Sequence, residues 1–322
     1  MGYILSTESA ELLEAFLAAE EGTTSAQGFA KLKDMTRRVL AWFDEEELTL
    51  AEVRIADAIR YEAALSTRLT KDGTQIQAGT MRTYLKTARR LFDYLVRTEQ
   101  ITSNPFREIR YPRLPEHLSR NLLSEAQMGR LLHELGRFDE LPTEAGRLRR
   151  YRVHVVAEFL YASGLRIAEA ASLVEANLDL PRRLIHVPEG KGGRPRTAFL
   201  TSYAADVMAT YLARGRAFVL GNHPRGHGET LFGADKSRLA AVVNSELKAV
   251  CTALELPVIT SHGFRHSLGT HLLRSGCDMR HIQAILGHEA LQTTQVYTRV
   301  DKDDLKRSLD EHHPRQWGKD RP

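Results

Sequence analysis

The chain has 322 residues, a formal net charge of +4, 42% hydrophobic and 27% charged residues, and a sequence pI near 9.0. That is enough apolar residue for two ordinary cores, and no apolar run approaches the ~18 residues a membrane span needs. Met1 to Leu13 lacks the basic-then-apolar layout of a signal peptide, and Cys251 and Cys277 have no metal-like spacing, so the expectation is a cytoplasmic protein with no membrane partner and no disulfide framework.

The basic charge is local. Residues 1–120 carry 17 Lys and Arg against 18 Asp and Glu. Yet from 82 to 113 Arg82, Lys86, Arg89, Arg90, Arg97, Arg107, Arg110 and Arg113 face only Asp93, Glu99 and Glu108. Segments 7–20, 28–43, 51–69 and 79–100 have the apolar rhythm of amphipathic helices, punctuated by Gly22, Gly73 and Gly79, which predicts a small helical domain over 1–110. In the last of them Met81, Tyr84, Leu85, Ala88, Leu91, Phe92 and Leu95 form one apolar stripe. Arg82, Lys86 and Arg89 form a basic stripe beside it, readable as a solvated face or as a phosphate-binding one. Asn104 and Pro105 end that helix. The prolines at 112 and 115 push their predecessors out of the α region, so 111–120 is expected to be an inter-domain linker.

The second domain opens with Ser124 and Gln127, a capping box ahead of a helix over Met128–Leu135. An apolar helix over Arg149–Leu165 is followed by SGLRIAEAASL, where Arg166 starts a new helix and Glu169 lies three residues on. A cation at a helix start opposes the macrodipole. Either a salt bridge to Glu169 or a bound anion would offset it. Leu184 to Leu200 reads as two short β-runs around a Gly-rich basic turn, with Lys191 as its lysine and Arg194 and Arg196 as phosphate contacts or solvated charges. The turn lacks the GxxxxGK[ST] of a nucleotide-binding loop, and strands flank it on both sides. Helices are expected at 202–214 and 237–254, joined by the stretch Gly221 to Gly228, to which no role is assigned.

The densest chemistry lies in the last quarter. His262, Arg265, His266, His271, His288 and Tyr297 sit among Leu268, Leu272, Ile282, Ile285 and Leu286, which return every three or four positions. His262 and Arg265 share a helix face. His262 and His266 are one turn apart, but no carboxylate stands between them as HExxH metal chemistry requires, so no metal site is expected and His266 and His271 read as packing or hydrogen-bonding residues of the helix. A guanidinium forks onto two phosphate oxygens, and a phenol hydroxyl can attack phosphorus.

The order HxxR, LGH, Tyr, with the frame HxxRHSxxTHLL, resembles the tyrosine recombinase (phage integrase) family, Xer-like members included. SGLRIAEAASL matches that family's first-arginine motif, and Lys191 lies in the hairpin where the family carries its lysine. The resemblance covers about 124–300 in named motifs. It implies a mainly α fold with a small β-sheet: a helical core-binding domain, then a mixed α/β catalytic domain over 121–300, the two clamping a duplex. It implies six catalytic residues, Arg166, Lys191, His262, Arg265, His288 and Tyr297, with Glu169 in support, and DNA contacts at Arg82, Lys86, Arg89, Arg194 and Arg196. It further implies double-stranded DNA with specific recombination sites as partner, a homotetramer on that DNA, accessory proteins in some systems, and no cofactor. A type IB topoisomerase-like enzyme and a DNA-binding regulator with vestigial catalysis stay open beside it. Finally, Leu305 and Leu309 are four apart in a tail, 301–322, too short to be a stable helix alone. In similar recombinases such a tail docks on a neighbouring subunit, and packing on its own domain is the alternative.

Overall fold

The computed structural model of the chain describes residues 4–23, 26–70, 73–113, 122–188, 195–221, 230–287 and 302–315. The chain divides into two compact units, Met1–His117 and Leu118–Pro322. No helix among the described residues is long and apolar enough to cross a membrane. Cys251 and Cys277 are both free and buried.

The first unit is helical: α1 (Thr7–Glu20), α2 (Ala26–Glu45), α3 (Ile55–Thr67) and α4 (Ala78–Arg97). On α4 the apolar stripe turns inward, burying Tyr84, Leu85, Ala88, Leu91, Phe92 and Leu95. The centre is aromatic, with Phe43, Tyr61, Phe92 and Phe106 packed at ring separations of 5.0 to 6.3 Å. Phe106 comes from beyond α4, so the chain folds back after the helix instead of leaving. Asn104 holds that reversal. Its Nδ2 donates to the Arg89 carbonyl and to Asp93 at 2.9 Å each, and its Oδ1 accepts from the Phe106 N–H at 2.8 Å.

The second unit is built around α6 (Glu144–Ser163), which is buried continuously from Val153 to Ser163. It packs against α5 (Glu125–Gly136), α8 (Ser202–Thr210), α10 (Lys236–Ala253) and α11 (Ser261–Arg274). Ser124 and Gln127 make the expected capping box at the start of α5, through bonds of 3.2 and 2.9 Å. The remaining helices are α7 (Ile167–Ser172), α9 (Arg216–Leu220), α12 (Met279–Leu286) and α13 (Lys302–His312), and a wide turn over Tyr211–Gly215 joins α8 to α9. An antiparallel sheet runs in the order β1 (Leu178–Asp179), β2 (Leu184–Val187) and β3 (Arg196–Phe199), with Leu184 opposite Phe199 and Val187 opposite Arg196. β1 adds a strand to the expected hairpin. It is only two residues long, too short for an alternating pattern to register.

The tail docks on its own unit. Leu309 is fully buried and Leu305 nearly so, against α11 and α12. Arg183 forks onto Asp310 at 2.7 and 2.6 Å, the His281 ring meets the Ser308 hydroxyl at 2.6 Å, and buried His313 meets the Tyr161 carbonyl at 3.2 Å. In the single chain a bidentate ion pair and two buried leucines satisfy the helix in cis, one of the two dockings that the sequence leaves open. Leu309→Ala is expected to lower unfolding free energy by about 2–5 kcal/mol, as truncation of a buried leucine does. Urea unfolding measures it, and a loss below about 0.5 kcal/mol would mean that α13 is undocked in solution.

Candidate active site

α6 ends at Gly164, whose left-handed conformation (φ +63°) reverses the chain and lets its N–H bond the Leu160 carbonyl at 2.9 Å. A side chain there would sit 2.7 Å from a methyl of Leu286. Two residues later Arg166 precedes the first turn of α7. Having no acceptor, its side chain cannot cap the helix. Glu169 instead reaches back, taking the Arg166 N–H at 2.7 Å and its guanidinium at 3.2 Å. The salt bridge exists, and the Arg166 side chain still keeps 30% exposure.

Glu169 holds a second cation. Arg196, at the start of β3, brings Nη2 to Oε2 at 3.1 Å and Nε to Oε1 at 3.4 Å. Burial acts to raise the Glu169 pKa, but the Arg166 N–H and the two guanidiniums outweigh it and hold the carboxyl below 4.5.

Arg265, one turn into α11, is 3% exposed. Its Nη1 donates to the Gly164 carbonyl at 2.6 Å, so the αL turn that ends α6 also aims an acceptor at this arginine. Burial, with Arg166 and Arg196 nearby, pushes its pKa down to about 10 against the opposing pull of Glu169. Its Nη2, and Nη1 of Arg196, are buried without a partner among the described residues. Three guanidiniums and one carboxylate leave the cluster short of negative charge and of acceptors. An oxyanion supplies both.

His262, in the first turn of α11, lies edge to face with His266 at 4.5 Å. Partial burial, then the fields of His266, Arg265 and Arg166, lower its pKa below 6.5. The structure thus gathers Arg166, Glu169, Arg196, Arg265 and His262. Lys191, Arg194, His288 and Tyr297 lie outside the described residues. The chain enters His288 from Gly287, whose left-handed turn (φ +63°) caps α12.

In the first unit Arg82, Lys86 and Arg89 surround the Tyr111 ring at 5.5, 5.9 and 4.4 Å. They are not equivalent. Arg89 spends its guanidinium on the carbonyls of Phe106, Arg107 and Ile109, at 2.8 to 3.2 Å, and so departs from the expectation of a free phosphate contact. Those carbonyls have no helix or sheet partner, and Arg89 is the donor within reach. Lys86 is exposed and Arg82 half-exposed.

One feature was not anticipated from sequence. Arg196 is a buried ion-pair partner rather than a groove or solvent charge; in an alternating strand it shares a face with Ala198 and Leu200, both buried, and that was the available signal. His271 takes the hydrogen-bonding role open to it in the sequence. It bonds the Tyr161 hydroxyl at 2.7 Å and the Leu123 carbonyl at 2.9 Å.

Residues 121–304 match the model of the phage integrase family. Tyrosine recombinase XerD of Vibrio cholerae serotype O1 is 31% identical over 292 residues, covering 89% of this chain and 90% of that protein. Tyrosine recombinase XerC of Bacillus pumilus is 30% identical over 277 residues, covering 84% and 83%. Among solved structures, the Tn1549 transposon integrase in complex with circular intermediate DNA shares the fold, with a TM-score of 0.65 at 16% identity over 94% of this chain and 98% of that one.

Glu169→Gln leaves the arginines without their counter-charge and is expected to cost about 3 kcal/mol, as breaking a buried pair does. Because the folded pKa is lowered, this contribution is complete above pH 4.5 and is lost as pH falls through the depressed value. Thermal melts of parent and variant should therefore differ at pH 7 and converge only below pH 4.5.

Proposed function

The chain belongs to the phage integrase family, the tyrosine recombinases, and from that membership we propose that it is a site-specific recombinase cutting and rejoining duplex DNA through a 3′-phosphotyrosyl link. The observation that carries the chemistry is, among the described residues, the surplus of guanidinium over carboxylate around Arg265, with a buried N–H lacking an acceptor there. A phosphodiester fits that deficit. Arg265 and the exposed part of Arg166 bind its non-bridging oxygens, and because charge builds on those oxygens in the pentacoordinate transition state, fixed guanidiniums favour it over the ground state.

The Tyr297 oxygen attacks phosphorus, the bond to the 5′ bridging oxygen breaks, and Lys191 gives that oxygen its proton. His288 adds a hydrogen bond to a non-bridging oxygen. His262 accepts the phenol proton, and its lowered pKa supports this by keeping the ring neutral near pH 7. The phosphotyrosine retains the energy of the broken diester. A partner strand's 5′-hydroxyl can therefore reverse the step, and the chemistry requires neither ATP nor metal.

The partner is double-stranded DNA carrying specific sites, met in the cytoplasm by a homotetramer. Arg82 and Lys86 of the first unit and Arg194 of the hairpin turn are its phosphate contacts, while Arg89 acts by fixing Tyr111.

A nicked suicide duplex tests this reading. The parent chain should form a denaturant-resistant adduct, and Tyr297→Phe, which keeps the ring, should bind the duplex equally and form none. An adduct with the Phe variant removes Tyr297 as nucleophile, and a parent chain that only binds is a regulator. The kcat/KM profile gives a second check. If His262 is the base, cleavage falls as pH drops through a pKa below 6.5, and a limb centred above that value points to another group.

A further inference from the structure

Arg196 does more than neutralise Glu169. The side chain is 15% exposed, and its two bonds to the carboxylate use the Nε–Nη2 edge of the fork. Its face lies against Gly287, so closely that a Cβ at that position would come 3.0 Å from Cδ, Nε and Cζ. One planar group thus touches both the carboxylate that holds Arg166 and the left-handed turn that delivers the chain to His288. It also belongs to the strand leaving the hairpin turn, five residues after Lys191.

We propose that Arg196 is a positioning residue for strand cleavage: its guanidinium is the spacer that sets the α7 start against the α12 end, and so fixes Glu169, and the Arg166 that Glu169 holds, at the scissile phosphate. The inference rests on the phosphotyrosyl reading above. A flat, forked cation is required. An ammonium at the same place could satisfy the carboxylate, but it offers no plane for the glycine backbone to lie on. The same geometry accounts for glycine in LGH, since position 287 needs both a positive φ and an absent side chain.

Arg196→Lys keeps the charge against Glu169 and separates this role from others. It should melt like the parent and bind duplex with unchanged affinity and salt slope. At saturating DNA its single-turnover cleavage should be about 100-fold slower, the scale of a small misplacement of reacting groups. Gly287→Ala should slow the parent at least as much but cost less on top of Arg196→Lys than it does alone, because the two changes share one contact while the strain of the positive φ remains. If Arg196→Lys instead unfolds the chain, Arg196→Gln, which keeps a planar group able to donate while Glu169 stays paired with Arg166, serves in its place with the same expected split. Parental cleavage at saturation overturns the proposal, as does a salt slope reduced by about one, the mark of a direct phosphate contact. Fully additive effects at 196 and 287 also overturn it. A parent chain that forms no adduct is a different failure: it removes the phosphotyrosyl reading, and this inference with it.

Discussion

The carboxylate of Glu169 is buried yet charged, and it stays so because guanidiniums from two directions, Arg166 and Arg196, bond to it while Arg265 adds its field. The three arginines belong to α7, β3 and α11. Without the carboxylate between them, like charges would drive those segments apart. With it they are held close, with two units of positive charge still uncompensated among the described residues. The catalytic unit is thus folded around an electrostatic deficit. The stability for it comes from elsewhere, chiefly from α6, whose C-terminal half is surrounded by α5, α8, α10 and α11. An oxyanion bound there would relieve a cost already met during folding, which is how preorganised sites keep reorganisation out of the reaction step.

A second polar chain runs behind the site. Leu123, at the head of the unit, accepts from His271 on the helix that carries Arg265. His271 pairs with Tyr161 on α6, and the Tyr161 carbonyl meets His313 beyond α13. Burial drives the His313 pKa to about 4 and lowers that of His271, so both rings are neutral and serve as fixed donors and acceptors rather than as charges. Arg315 then pairs with buried Glu158 and lies 4.4 Å from the Tyr203 ring. The tail is therefore sewn to the same helices that position the arginines.

Much of this was legible in the sequence because its signals are local. The stripe on α4 and the capping box at Ser124 depend on spacings of three or four residues, and the helices they predict are present. Arg166 with Glu169 was legible for the same reason. The partners that escaped are those fixed by contacts between distant segments. Nothing near Arg89 in sequence announces that the carbonyls of Phe106 and Ile109 need a donor. Arg196 and Glu169 are 27 residues apart. The tail helix could be recognised by its leucines, but its docking surface belongs to α11 and α12, and the sequence left both docking modes open.

The reversal after α4 bears on where this protein can be divided. The Arg89 guanidinium, the Asn104 amide and the Phe106 ring together make 104–109 part of the first unit's core rather than a spacer. A fragment ending at Arg97 would leave Phe43, Tyr61 and Phe92 facing water where Phe106 had been, and would strip Arg89 of its acceptors. Tyr111, over the same guanidinium, also holds to that core among the described residues. Exchange of modules between relatives, so as to join one chain's DNA preference to another's chemistry, therefore has its natural seam beyond Tyr111 and not at the end of the helix.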